Sequence, residues 1–380
     1  MCLIELTRLS FSPSLTMWHS KLKSYVTWNK KGGVGKTTLT FHMATHYALT
    51  HPLEKVLVID LCPQANVSIA LIEKENVDKL TSEGRTISFY LRQQVLFTSC
   101  TSPVDPQDFL TQVSDFNDQI PSNFQLLCGD IHLETVARSL ELKRSVNDNS
   151  WVSVTSCVRY FIEGDGFSKP GIINQANDKS KWVIFIDTNP SFSVYTEIAL
   201  LAAQRLIIPV NADDFSREAF KSLLHSVYGI AEAELPDDFK LLNPLTFSYK
   251  ARANCLRLPL IHLLIHNRAT RYNLRSAQAF HQLATSSLDA LRSAFKSNSE
   301  WFERKPLQPL LELQVNQYFV DLYDFHTAGI VALHLGCPLA ALRKRYKLSH
   351  VPLVRNGTVA LNGMQIDNHL QCLDNLVAKL

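Results

Sequence analysis

The run Trp28-Asn-Lys-Lys31-Gly-Gly-Val-Gly35-Lys36-Thr37-Thr38 constrains this chain more than any other stretch. Glycine is scarce, 13 in 380 residues, against an average usage of about 7%, yet three glycines fall between Gly32 and Gly35. They let the backbone turn with φ > 0 and bring successive N–H groups close to an anion. Lys36 then supplies a point charge for β- and γ-phosphates, and the Thr37 hydroxyl is suited to Mg²⁺. The flanks fit the same reading. Tyr25–Trp28 is β-prone, whereas Leu39, Met43 and Tyr47 recur every four residues, so the glycines lie between a strand and an amphipathic helix. A phosphate-binding loop needs that context, and the N-terminus of the helix adds its partial positive charge.

Two further apolar runs end in acids: Val56-Leu-Val-Ile-Asp60 and Trp182-Val-Ile-Phe-Ile-Asp187. Runs of this kind fit strands buried on both faces of a parallel sheet. Asp187, well downstream of the loop, has the position of the carboxylate that holds Mg²⁺ through water in phosphate-loop enzymes.

The motif departs from its ordinary form at Lys30, which stands where a glycine is usual. Lys-Gly-Gly-Val-Gly-Lys-Thr resembles the deviant phosphate loop of the ParA/MinD family of ATPases, whose signature lysine directly precedes the two glycines. Lys31 holds that position. The resemblance implies an ATP-dependent homodimer in which each Lys31 reaches the other subunit's nucleotide. It also implies ATP and Mg²⁺ as cofactors, bound by Lys31, Gly32, Gly33, Val34, Gly35, Lys36, Thr37 and Thr38. Thr37, Asp60 and Asp187 would serve the metal; Lys31, Lys36 and Asp60 would be the catalytic set.

From Asp60 onward the family carries Asp-x-Asp-Pro-Gln-Gly-Asn. Here Asp60, Pro63, Gln64 and Asn66 match, while Cys62 and Ala65 do not. The second aspartate positions the attacking water in the family, and a thiol does not reproduce a carboxylate acceptor at neutral pH. ATP hydrolysis is therefore expected to be slow, or its water oriented by another group. Leu206–Val210 reads as another buried strand, followed by the family-like run Asn211–Ser216. Leu260–His266 is a further strand, and the asparagine that follows, Asn267, takes the family's adenine-facing position; an ordinary turn asparagine is the alternative.

The rest of the chain reads coarsely. Residues 1–23 form an N-terminal extension, with Met17 an alternative start. Residues 24–380 read as one ParA-like ATPase domain with insertions near 71–123 and 143–181. The fold expected is α/β: a doubly wound, mostly parallel sheet with helices on both faces. Helices are expected near Ile131–Leu142, Trp151–Glu163, Glu197–Gln204, Asn273–Phe295, Phe325–Leu335 and Met364–Leu380, and a strand over Leu311–Leu322. With the first strand beginning near Ser24, no helix-turn-helix unit fits before the loop.

A net charge of +3 is too small for a dedicated nucleic-acid binder, so any DNA contact must be a local patch. Arg268, Arg271 and Arg275 fall on one side of an early helix, and Arg343, Lys344, Arg345 and Lys347 form the densest basic cluster. Either group suits non-specific phosphate contact, or a solvated surface. Eight cysteines lack metal-finger spacing and read as reduced thiols of a cytoplasmic, conceivably nucleoid-associated, protein. No run long enough to insert into a membrane is present. His42 and His46, four apart, lack a third metal ligand. Two functions follow: a partition-type ATPase whose ATP dimer binds DNA and is released by hydrolysis, with a centromere-binding or adaptor partner; or a nucleotide switch that positions a protein without DNA.

Overall fold

The computed structural model describes residues 21–96, 104–164, 170–174, 179–211, 217–230, 235–267, 274–322, 326–353 and 357–380. The apolar runs become the centre of one sheet. Its strands are β1 Leu22–Thr27, β2 Lys55–Leu61, β3 Leu110–Gln112, β4 Phe124–Leu127, β5 Trp182–Thr188, β6 Arg205–Asn211, β7 Leu260–Asn267 and β8 Phe319–Leu322. Among the described residues they lie in the order β3-β4-β2-β5-β1-β6-β7-β8. Every pairing is parallel except β3 with β4.

The side chains of β5 are buried along its whole length, because helices cover both faces. Leu22, Val26, Ile184 and Ile186 point into one apolar layer with the helices Leu133–Arg144, Cys157–Glu163, Val194–Ala202 and Arg217–Tyr228. Tyr25, Val183 and Phe185 point into the other, with the helices Lys36–Thr50, His326–His334 and Gly363–Val377. This is the doubly wound arrangement. Parallel pairing brings the strand ends to one edge: Thr27 and Asp60 both lie opposite Asp187, and Asn211 opposite Asn267.

Several local expectations need correction. Leu311–Asn316 is helical, and only Phe319–Leu322 is extended. β8 pairs with β7 only from Leu264 to Asn267, and earlier along β7 it is Phe302 that bridges Ile261, so the backbone of Leu311–Asn316 satisfies itself in a helical turn. Trp151–Glu163 divides into Asp148–Thr155 and Cys157–Glu163. The Thr155 hydroxyl donates to the Trp151 carbonyl at 2.8 Å there, a local bond that competes with helix continuation. The stretch 71–123 contains the helix Lys74–Ser82 and the antiparallel edge strand β3. The helices read as Ile131–Leu142, Glu197–Gln204, Asn273–Phe295, Phe325–Leu335 and Met364–Leu380 are Leu133–Arg144, Val194–Ala202, Leu274–Ser297, His326–His334 and Gly363–Val377.

Candidate nucleotide site

The phosphate loop leaves β1 at the centre of the sheet and runs into the helix Lys36–Thr50. Gly33 and Gly35 have φ of 73° and 84°, the left-handed region that side chains disfavour. The helix begins with no side-chain cap and no acid in its first turn. Its leading N–H groups are therefore left for an anion. Lys36 is buried; its Nζ donates to the carbonyls of Asn29 at 3.1 Å and Lys31 at 2.8 Å. Burial lowers the Lys36 pKa, and Asp187 opposes that shift. Lys31 is exposed at the rim of the loop.

The Thr37 hydroxyl donates to Asp187 at 2.8 Å, and Thr40 stands 3.4 Å from the same carboxylate. A hydroxyl and a carboxylate beside the start of the helix form a hard oxygen donor set, of the kind Mg²⁺ takes together with phosphates and water. The loop fits a nucleotide triphosphate and the pair Thr37–Asp187 fits its metal. Burial first, and the charge of Asp60 next, raises the Asp187 pKa. A cation in this place would offset both effects.

Asp60 has a different environment. One carboxylate oxygen accepts the Cys62 N–H at 3.0 Å, and the other accepts the Ser68 N–H at 3.1 Å and the Ser68 hydroxyl at 2.7 Å. A Cβ on Gly129 would come within 2.8 Å of the Asp60 carboxyl carbon. Asp60 thus ties down the turn after β2 and is walled in on a further side by glycine. Burial nevertheless raises its pKa, against those hydrogen bonds. Cys62 is buried and its thiol is pushed up to about 12, by burial and then by Asp60. It remains a neutral thiol across the physiological range. Ala65, where the resembling family has glycine, adopts φ 50° and ψ 33°, a left-handed conformation that costs a side-chain-bearing residue about 1 kcal/mol.

Asn267 is buried against the loop, its amide donating to the Val34 carbonyl at 3.0 Å. The basic cluster is partly neutralised: Arg343 pairs with Asp367, and Arg345 with Asp118 at 2.9 Å. Lys344 and Lys347 are exposed. Arg268 and Arg271 lie outside the described residues, as do residues 212–216, and of Arg275 only the helical backbone is described. His46 faces Asp374 at 2.7 Å, and His42 faces the Gly329 carbonyl at 3.2 Å. No cluster of three or more His, Cys, Asp or Glu suited to a metal occurs among the described residues.

Sequence reasoning gave no role to Ser68, Gly129 and Asn29, and named Asn211 only as the start of a family-like run. The last two carry a visible signal: an asparagine at the end of an apolar strand beside the loop. Ser68 and Gly129 carry none, because their roles arise from packing between separate strands.

Fold and site together define a phosphate-loop nucleotide-binding protein. The family model described as an AAA domain, AAA_31, matches residues 23–150 and 172–240, more than half of the chain. The chain belongs to that family, and it is a P-loop ATPase of the ParA/MinD type. It is 27% identical to the sporulation initiation inhibitor protein Soj of Bacillus subtilis over 229 residues, 60% of this chain and 72% of that protein. It is 28% identical to the chromosome partitioning protein ParA of Caulobacter vibrioides over 200 residues, 52% of this chain and 60% of that one. Among solved structures, the ATP complex of a Cyanothece McdA variant superposes with a TM-score of 0.56, at 15% identity, over 94% of this chain and 96% of that one. At that identity the likeness speaks for the fold. Among the described residues no helix is long and apolar enough to cross a membrane.

Proposed function

We propose that residues 24–380 act as one ATP-driven dimerising switch of the partition type. The observation that carries this reading is the meeting of Thr37 and Asp187 at 2.8 Å beside the uncapped helix start, with Lys31 exposed at the rim. ATP would sit in Gly32–Thr38, its Mg²⁺ on Thr37 and Asp187. Bound metal neutralises phosphate charge and polarises the γ-phosphoryl group. Lys36 would exchange its two carbonyl partners for phosphate oxygens. Lys31 would reach across to the partner subunit's nucleotide, and Asp60 would hold the turn carrying Cys62 in place. The protein would work in the cytoplasm, binding DNA non-specifically as the ATP dimer and leaving it on hydrolysis, with a centromere-binding or adaptor protein as stimulator. The names of Soj and ParA support this assignment.

A second reading is favoured by two observations: acids already pair with Arg343 and Arg345, and Cys62 is a neutral thiol. It is a slow-turnover switch that positions a protein without DNA. DNA binding measured with and without ATP across a salt series separates the two. Salt-sensitive binding that appears only with ATP supports partition. A folded, ATP-loaded dimer that ignores DNA at low salt refutes it in favour of the second reading.

A further inference from the structure

Strands β1, β6 and β7 lie side by side and meet the phosphate loop through an asparagine each. Asn29, two residues past the end of β1, accepts the Lys31 N–H on its Oδ1 at 3.0 Å and donates to the Pro209 carbonyl of β6 at 2.7 Å. Asn211, the last residue of β6, donates to the Gly33 carbonyl at 3.4 Å. Asn267, the last residue of β7, donates to the Val34 carbonyl at 3.0 Å. All three side chains are at least nine-tenths buried.

In a planar trans peptide the C=O and the following N–H point in opposite directions. A side chain that holds the Gly33 carbonyl toward the sheet therefore turns the Val34 N–H away from it. Holding the Val34 carbonyl does the same for the Gly35 N–H. These N–H groups belong to the stretch that would line a phosphate. The approach is close: a Cβ on Gly35 would lie 2.3 Å from Asn267 Nδ2. Glycine at 35 thus serves Asn267 as well as the backbone turn.

We infer that Asn211 and Asn267 are positioning residues that aim loop N–H groups at the triphosphate, so that Asn267 acts on the phosphates of any nucleotide. This rests on the proposed nucleotide site. The resemblance-based alternative assigns Asn267 to adenine, and the two make opposite predictions.

The test is equilibrium binding of Mg²⁺-ATP, Mg²⁺-GTP and inorganic triphosphate to the full chain, for wild type, Asn267→Ala and Asn211→Ala, with thermal unfolding of each apo protein in parallel. The inference predicts that each variant loses about tenfold in affinity for all three ligands, as expected for loss of one orienting hydrogen bond. The ATP-to-GTP ratio should stay unchanged. Asn267→Gln, which keeps the amide donor, should recover part of the loss, whereas Asn267→Asp should not. If Asn267→Ala changes the ATP-to-GTP ratio while triphosphate binding holds, the positioning role is overturned and base recognition takes its place. Equal loss in Asn267→Gln and Asn267→Ala, tracking a lowered unfolding temperature, also overturns it by reducing the residue to packing. A wild type that binds none of the three ligands refutes the nucleotide site itself, and the inference with it.

Discussion

Thr37 and Asp187, 150 positions apart in sequence, meet through a hydrogen bond of 2.8 Å because β5 pairs with β1 in a register that sets Thr27 against Asp187. Thr37 and Asp187 would hold the Mg²⁺ that comes with ATP, Asp187 through a water. Asp187→Asn should therefore weaken Mg²⁺-dependent ATP binding by about tenfold or more while leaving metal-free binding little changed. Titration calorimetry with and without Mg²⁺ reads the difference. Equal loss under both conditions would show that Asp187 does not serve the metal.

The same residue makes stability depend on pH. Burial and the Asp60 charge raise the folded-state pKa of Asp187 above the ordinary carboxylate range. The folded protein thus keeps a proton that the unfolded chain has released, and stability falls as pH rises from the ordinary carboxylate range through the raised value. Apo Asp187→Asn should melt higher than wild type at pH 8, by about 2–4 °C, with the gain shrinking by pH 5. Differential scanning calorimetry at the two pH values checks this; a gain that grows on acidification would contradict it.

Lys31 is exposed, and its backbone is tied into the loop: its N–H donates to Asn29 and its carbonyl accepts from Lys36. Lys31→Ala leaves both bonds available. ATP affinity of the monomer should hold within about twofold, while ATP-driven dimerisation weakens by about tenfold or more, through loss of a charge-assisted contact to the partner's phosphates. Light scattering at fixed ATP follows the dimer, and an undiminished dimer would remove Lys31 from the interface.

Cys62 is buried and protonated, on a turn whose backbone Asp60 already fixes. The backbone of the turn is thus fixed, and the side chain it carries is a neutral thiol. Cys62→Asp should raise ATP hydrolysis by about tenfold or more. A phosphate-release assay measures the rate, and an unchanged value would place water orientation elsewhere.

The sequence made the centre of the molecule legible because buried parallel strands leave a strong trace. Val56–Asp60 and Trp182–Asp187 announce strands whose ends fall at the loop. Short edge elements leave weaker traces, and Leu311–Leu322 misled because only Phe319–Leu322 pairs with β7, whose earlier part meets Phe302 instead. Glycines and lysine revealed the phosphate loop itself. What lies around it was less visible: Ser68 and Gly129 enclose Asp60 from separate segments, and no local pattern encodes that meeting. The basic cluster shows the converse. Arg343 and Arg345 look available in sequence, but the fold sets Asp367 and Asp118 against them.

On binding a nucleotide, Lys36 would turn from its own loop to the phosphates. Its ammonium now rests on the carbonyls of Asn29 and Lys31, and ATP would replace them with charged oxygens, the stronger acceptors. Titration calorimetry of Mg²⁺-ATP into wild type and Lys36→Ala is the most direct measurement. Wild type should bind saturably and one to one, with a loss of at least about 100-fold in the variant; equal affinities for the two proteins would remove Lys36 from the phosphate site.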